Sequence, residues 1–307
     1  MGKKKVVVAG ATGALGNKIV KELLAQGAEV TAMVRATSNR SKLMEVGVSH
    51  FVVGDMMDKV SLRNALTQEH RFDAIVASAA GYTGHTKGDS EKTDRIGYQN
   101  LVDASKEAGI ARFVLISILE CDKAVNVSHF YNKYLIERYL IEKKQPFISL
   151  RPGAFLDQTP DFILPKIKKG ILPVLFVDVK YGTIYTPDLA RYTAMAAVSL
   201  PESELNTTID VGLSIPVNSD SLAKAFETVL NRPVKPKPAV PSFVVNVIAP
   251  IVGKFSSKIH DMLGMVKWVN TGAYVSKNTE KQRRLFGDLP TIEDAVTRYA
   301  KDNNLIP

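Results

Sequence analysis

Gly10, Gly13 and Gly16 stand at three-residue intervals in the run Gly10-Ala11-Thr12-Gly13-Ala14-Leu15-Gly16, directly behind the apolar residues Val6, Val7, Val8 and Ala9. A strand that turns sharply into a helix needs glycine at the turn, where a polyanion approaches the backbone, and where the helix lies on the sheet. The helix then aims unpaired amides and its positive end at the anion. Ile19, Val20, Leu23 and Leu24 supply the apolar stripe of that helix, and Gly27 ends it before an expected strand over 29–34. The pattern predicts a dinucleotide pyrophosphate seated on Gly10, Thr12, Gly13, Ala14, Leu15 and Gly16.

The tip of the second strand bears on which dinucleotide. A carboxylate roughly 20 residues past the glycines binds both ribose hydroxyls of NAD and repels a 2′-phosphate. Here Arg35 stands there, with Ser38, Asn39, Arg40 and Lys42 behind it. A guanidinium pairs with that phosphate and stacks on adenine, so the expected cofactor is NADP(H), held in part by Arg35 and Arg40. The third strand, 51–53, ends in Gly54-Asp55. The Asp55 carboxylate either meets the adenine edge or simply caps the strand end.

These groups need a sheet to carry them. The chain has 307 residues, 45% of them hydrophobic, and a mean hydropathy near zero, which predicts one α/β unit with a smaller appended lobe. The first strand is entered straight after Met1-Gly2-Lys3-Lys4-Lys5, leaving no room for a signal peptide in this sequence, and no apolar run reaches a membrane span. Cys121 is the sole cysteine, so no internal disulfide or cysteine metal cage exists, and a cytoplasmic location and a site without metal are expected. Asn126-Val127-Ser128 and Asn206-Thr207-Thr208 match the glycosylation pattern but are discounted without a secretory signal. The formal charge of +9 is spread along the chain, apart from small groups such as Lys166-Lys168-Lys169 and Lys281-Arg283-Arg284. None is interleaved with aromatics, so solvated faces and attraction of a polyanionic cofactor are expected rather than nucleic-acid binding.

Beyond the third strand, strands and helices alternate as in a parallel sheet. A fourth strand is expected over 73–78, with Ser78, Ala79 and Ala80 passing beside the cofactor. A polar loop over 82–93 leads to a helix over 94–108, with Gly97 closely packed and Ile96, Leu101 and Val102 facing inward. A fifth strand over 113–117, a helix over 130–141 and a sixth strand over 146–151 follow, and Pro152-Gly153 breaks out of the sheet.

Gly10-Ala11-Thr12-Gly13, Val34-Arg35, Gly54-Asp55, Asp94-x-x-Gly97-x-x-Asn100, Arg112 to Ser117 and Leu150-Arg151-Pro152-Gly153 together resemble an atypical member of the short-chain dehydrogenase/reductase superfamily, on its NmrA-like side. The resemblance covers roughly the first half of the chain. It implies a doubly wound parallel Rossmann sheet of about seven strands, NADP(H) across its carboxyl edge contacting Gly54, Asp55, Ser78, Ala79, Ala80, Pro152 and Gly153, and substrate held by C-terminal segments. Most of the superfamily carries Tyr-x-x-x-Lys, one helical turn apart, the lysine binding ribose and lowering the tyrosine pKa. This chain reads His129-Phe130-Tyr131-Asn132-Lys133. Lys133 keeps the lysine's place and His129 takes the tyrosine's, while Tyr131 and Tyr134 have the wrong spacing. An imidazole beside an ammonium is mostly neutral at pH 7 and a poor proton source. His129 therefore has either a chemical role or one in packing the helix start. Ser117 ends the fifth strand where the family's hydroxyl lies, beside apolar Ile118 and Leu119.

The remaining chain is expected to form the lobe. Residues 1–153, completed by 180–213, make the Rossmann core, and 154–179 with 214–307 make a mostly helical substrate lobe. A helix is expected over 161–170, a helix over 189–198, a last sheet strand over 207–211, and an amphipathic helix over 219–230 with Leu222, Phe226 and Leu230 on one side. A proline-rich linker follows over 232–241. Residues 243–252 with Ile259, Met262, Leu263, Met265, Val266 and Trp268 either wall a hydrophobic pocket or form plain core, and Gly287 to Thr291 caps a terminal helix over 292–301. Three functions follow from these readings. The first is an NADPH-dependent reductase of a small molecule with an apolar carbonyl or conjugated C=C. The second is a non-catalytic NADP(H) sensor, and the third, least favoured without the tyrosine, is a nucleotide-sugar epimerase.

Overall fold

Val6, Val7 and Val8 are fully buried at the centre of the first strand, the position expected of an apolar run covered on both faces of a parallel sheet. The computed structural model describes residues 2–67, 71–81, 90–158, 160–174, 179–240, 244 and 248–307. In chain order its elements begin β1 (Lys5–Ala9), α1 (Ala14–Ala25), β2 (Glu29–Val34), α2 (Ser41–Glu45), β3 (His50–Val53), α3 (Lys59–Thr67) and β4 (Ala74–Ala77). A π-helical segment (Glu91–Gly97) then runs into α4 (Tyr98–Glu107), followed by β5 (Arg112–Ile116), α5 (Ser128–Glu142) and β6 (Phe147–Pro152). The rest comprises β7 (Ala154–Phe155), α6 (Pro160–Ile167), β8 (Ile171–Val174), β9 (Thr183–Ile184), α7 (Thr186–Val198), β10 (Thr207–Val211) and α8 (Ser219–Leu230). It closes with β11 (Lys235–Pro238), α9 (Ala249–Gly253), α10 (Ser257–Val269), α11 (Glu280–Phe286) and α12 (Ile292–Asp302).

One unit comprises Met1–Asp122, Ser128–Arg151 and Pro187–Ile209, and the other Lys123–Val127, Pro152–Thr186 and Asp210–Pro307. The central sheet has seven strands in the order β10-β6-β5-β4-β1-β2-β3. β1 pairs in parallel with β2 on one side and β4 on the other, with Val7 opposite both Thr31 and Ile75. The chain therefore winds outward one way from β1 to β3 and then returns to β4 on β1's other edge. That reversal leaves the crevice beyond the carboxyl ends of β1 and β4 where doubly wound folds bind ligands. Beneath one face, Ile75, Phe113, Leu115 and Phe147 pack with Tyr98 and Leu101 in a single apolar cluster.

Two sequence expectations are corrected here. Ile96, expected to face inward, is 39% exposed. The expected helix over 94–108 begins instead as a π-helical segment, and its wider turn brings Asp94 and Gly97 to the buried side while Ile96 swings out. The stretch 232–241, read as a linker, contains β11, which pairs with β8 in parallel. The backbone N–H groups of Lys235 and Ala239 donate to Gly170 and Val174. Pro236 and Pro238 alternate with them, so their missing N–H groups fall on the side that needs none.

Within the second unit, α8 and α12 meet through Phe226 and Tyr299, whose rings lie edge to face at 5.6 Å. Leu222, Phe226 and Leu230 are buried together as their spacing implies. Both helices start on capping boxes. Asn218 and Ser221 exchange side-chain bonds at α8, and Thr291 and Asp294 do so at α12. The Tyr185 hydroxyl donates to Asp302 at 2.5 Å.

Candidate functional site

The corner between β1 and α1 is cleared of side chains from two directions. Gly10 has φ +87°, and a Cβ there would lie 2.7 Å from the backbone nitrogen of Ala79. A Cβ on Gly16 would run into the Gly10 carbonyl. Gly13 differs: its Cβ would meet only the Gly10 oxygen, at 3.3 Å, so the space beyond is open. The Gly13 N–H donates to the Gly10 carbonyl at 3.0 Å. α1 has no side-chain cap and no acidic residue in its first turn. Its first amides and the positive end of its dipole thus face an opening that only an anion or water completes, and a pyrophosphate fits there. Thr12, Gly13 and Ala14 are exposed, Leu15 is half-buried and Gly16 is buried.

At the end of β4, the Ser78 N–H and Oγ both donate to the Ala9 carbonyl, at 3.0 and 3.1 Å, tying the two switch-point strands together. At the tip of β2, Arg35 is exposed, and its N–H donates to Ser38 Oγ at 3.2 Å, closing a short turn. The Arg40 guanidinium lies over the Phe51 ring, 5.3 Å from its centroid. Gly54 is buried against Met33, where a Cβ would meet the sulfur at 2.9 Å. Asp55 is exposed, and its Oδ1 accepts from the Met57 N–H at 2.8 Å.

Lys133 is a buried charge held by several partners. Its side chain is 6% exposed and its Nζ lies 3.3 Å from Oδ1 of Asp94, itself 2% exposed. Nζ also donates to the Ala79 carbonyl at 3.3 Å and sits 3.9 Å from the centroid of the Tyr98 ring. The Tyr98 hydroxyl donates to the same Ala79 oxygen at 2.5 Å. Asp94 accepts in addition from the Gly81 N–H, 3.1 Å from each oxygen, and from Ser90 Oγ at 2.9 Å. Asn132 Nδ2 donates to Ser90 Oγ at 3.2 Å. Burial disfavours the Lys133 cation, but Tyr98 and Asp94 outweigh it and hold the ammonium above the usual lysine range. Burial likewise pushes the Tyr98 phenol up, with Lys133 pulling against it and Asp94 reinforcing it. Both groups are therefore protonated at neutral pH. Ala79 joins the two halves of the site, since its backbone abuts Gly10 and its carbonyl receives Lys133.

The other predicted catalytic residues have different neighbours. Ser117 is 2% exposed, and its Oγ lies 3.6 Å from the Cys121 sulfur. Burial, then the charge of Glu137, pushes the Cys121 thiol up to about 12. His129, in the first turn of α5, is buried and meets Phe130 edge to face at 4.7 Å. Tyr131 turns instead toward Tyr134, ring to ring at 5.6 Å. Pro152 is the last residue of β6, and the Gly153 N–H donates to the Val211 carbonyl at 3.2 Å. A Cβ on Gly153 would run into the backbone of Gly182 and Thr183. Asp94, Tyr98, Ser90 and Asn132 carry the setting of Lys133 and were given no role by sequence reasoning. The signal available for Asp94 was its place in the Asp94-x-x-Gly97-x-x-Asn100 motif.

Residues 10–160 match the NAD(P)H-binding family model. That match spans just under half of the chain. Its glycine and lysine motifs are those by which the sequence resembles the atypical, NmrA-like short-chain dehydrogenases/reductases. Among curated relatives, the photosystem II assembly factor Ycf39 of Guillardia theta is 31% identical over 210 residues, 68% of this chain and 65% of that protein, so the matched segment spans just under two thirds of the relative. Among solved structures, the triphenylmethane reductase of Citrobacter sp. complexed with NADP(H) superposes with a TM-score of 0.75 at 18% identity, covering 95% of this chain and 99% of that one. The NADPH-dependent quinone oxidoreductase of Escherichia coli, complexed with NADPH, gives 0.72 at 16% identity, covering 96% and 99%. At such identities the likeness establishes the fold. Among the described residues no helix is long and apolar enough to cross a membrane.

Proposed function

We propose that this protein is an NADPH-dependent reductase that delivers hydride to a medium-sized apolar carbonyl or conjugated C=C substrate. The observation that carries the reading is Lys133, fixed by Asp94, Ala79 and Tyr98 just beyond the end of β4; in this reading it is the ribose-binding lysine. In this reading the amides of the segment Gly10 to Gly16 hold the pyrophosphate, Arg35 and Arg40 select the 2′-phosphate, and Gly54 and Asp55 flank the adenine. Ser78, Ala79 and Ala80 border the remainder, in a reducing, cytoplasmic setting. The reduced nicotinamide, when bound, supplies the hydride. Lys133 orients it through hydrogen bonds and acts as a fixed cation rather than a proton donor, because Tyr98 and Asp94 stabilise its ammonium form against the cost of burial. A reduced C=C needs no proton at the first step, since its charge appears on a distant oxygen that Ser117 or another donor stabilises. Titrating NADPH into the pure protein and then screening enones, quinones and aldehydes by loss of reduced-nicotinamide absorbance tests the reading. Turnover with one class supports it. Normal turnover in Lys133→Ala removes the assigned site.

His129 in the tyrosine's place favours a second reading, a non-catalytic NADP(H)-sensing regulator, and the likeness to a protein named as an assembly factor supports it. This reading expects partner binding that differs between NADPH and NADP⁺. Robust turnover with any substrate excludes it.

A further inference from the structure

The corner between α9 and α10 exposes more apolar surface than folding explains. Ile248 is 44% exposed, Ile251 58%, Val252 39% and Phe255 89%. Ile251 and Val252 lie in α9, Ile248 is its N-cap residue and Phe255 stands in the turn that follows it. The backbone is ordered around it. The Lys254 and Phe255 N–H groups close turns onto Ile251 and Val252, and Ser256 caps α10 by accepting from the Ile259 N–H. A Cβ on Gly253 would lie 3.5 Å from the His260 nitrogen, so this stretch is seated on the start of α10 and Phe255 projects from the bend.

The charges beside the strip have one sign. Lys254 is exposed, and no acidic residue stands between 248 and 260; the next, Asp261, is buried. An apolar strip with the exposed Lys254 cation within it, on a chain of net charge +9, complements a surface that is apolar within and anionic at its edge. A second copy of the same strip would bring lysines against lysines. We propose that the strip formed by Ile248, Ile251, Val252 and Phe255, with Lys254, is a peripheral docking site for an anionic lipid surface. Phe255 and the aliphatic side chains sink to the headgroup–acyl boundary and the lysine pairs with lipid phosphates. The protein lies on the bilayer without crossing it. The inference is independent of the reductase reading, because none of these residues belongs to the cofactor corner.

Sedimentation of the full chain with vesicles tests it. The protein should pellet with phosphatidylcholine vesicles containing phosphatidylglycerol, and the bound fraction should fall as salt rises and in pure phosphatidylcholine. Phe255→Ser and Ile251→Ser should each lower the partition coefficient by about tenfold or more, as expected for losing one large buried side chain. Lys254→Glu should remove the preference for phosphatidylglycerol. NADPH titration of the same variants should be unchanged, which separates loss of docking from loss of fold. No pelleting at low salt, or serine variants that pellet like the parent, would overturn the proposal. A concentration-dependent dimer abolished by Phe255→Ser would also overturn it, by naming a second copy as the occupant.

Discussion

Lys133 and Asp94 form a buried ion pair, and such pairs cost more when halved than when removed. Lys133→Met leaves Asp94 charged at 2% side-chain exposure and should destabilise the chain by about 3–5 kcal/mol in denaturant unfolding. Adding Asp94→Asn should recover much of that loss, and a double variant no more stable than the single one would contradict the pairing. Because the folded pKa of Lys133 is raised, its contribution is complete below the unfolded lysine value and is lost only as pH climbs through the folded one. The pair should therefore hold across the neutral range and weaken only in strong alkali. Cys121 offers a second check at this scale. With its thiol pushed up to about 12 by burial, the native protein at pH 8 should resist alkylation, and full reactivity should appear only on unfolding. The lysine was legible in sequence because its helix keeps the family spacing. Its partners were not, because Asp94 and Tyr98 reach it from a different element, and no local pattern encodes a contact 39 and 35 residues away.

At the scale of elements, the glycines divide into two kinds. Gly16→Ala places a methyl against the Gly10 carbonyl and should cost both stability and cofactor affinity, whereas Gly13→Ala meets only one atom at 3.3 Å and should cost mainly affinity. Unfolding and NADPH titration of the two variants, measured together, check this split. The α12 capping box gives a pH dependence. Its Asp294 carboxyl is held low chiefly by the Thr291 side chain and backbone hydrogen bonds. Its contribution is thus present above the ordinary aspartate value and is lost as pH falls through the lower, folded one, below about 4. Asp294→Ala should cost about 1 kcal/mol at pH 7 and less in acid, and equal losses at both would contradict the box. The period of apolar residues located β1, α1, α8 and β10 well. It misread Ile96, since a π-helical segment breaks the 3.6 period on which the expectation rested, and it missed β11, since proline content hides a strand that uses only alternate N–H groups.

For the whole molecule, the seven-stranded order places β1 and β4 side by side with their carboxyl ends at one crevice, and everything proposed for the cofactor depends on that topology. Strand sequence alone suggests alternation, but the order of strands follows from handedness and from burial on both faces of the sheet. Only the Rossmann half carried motifs strong enough to name in advance. The remainder was legible as helices without a role, because its apolar stripes serve core and binding wall equally. Calorimetric titration of NADPH and NADH into the pure chain and its Arg35→Ser variant tests the central claim most directly. The parent should bind NADPH more tightly than NADH by roughly tenfold or more, the value of one charge-assisted contact to the 2′-phosphate, and the variant should lose most of that preference. Absence of binding by either nucleotide, or a parent that binds NADH as tightly as NADPH, would contradict it.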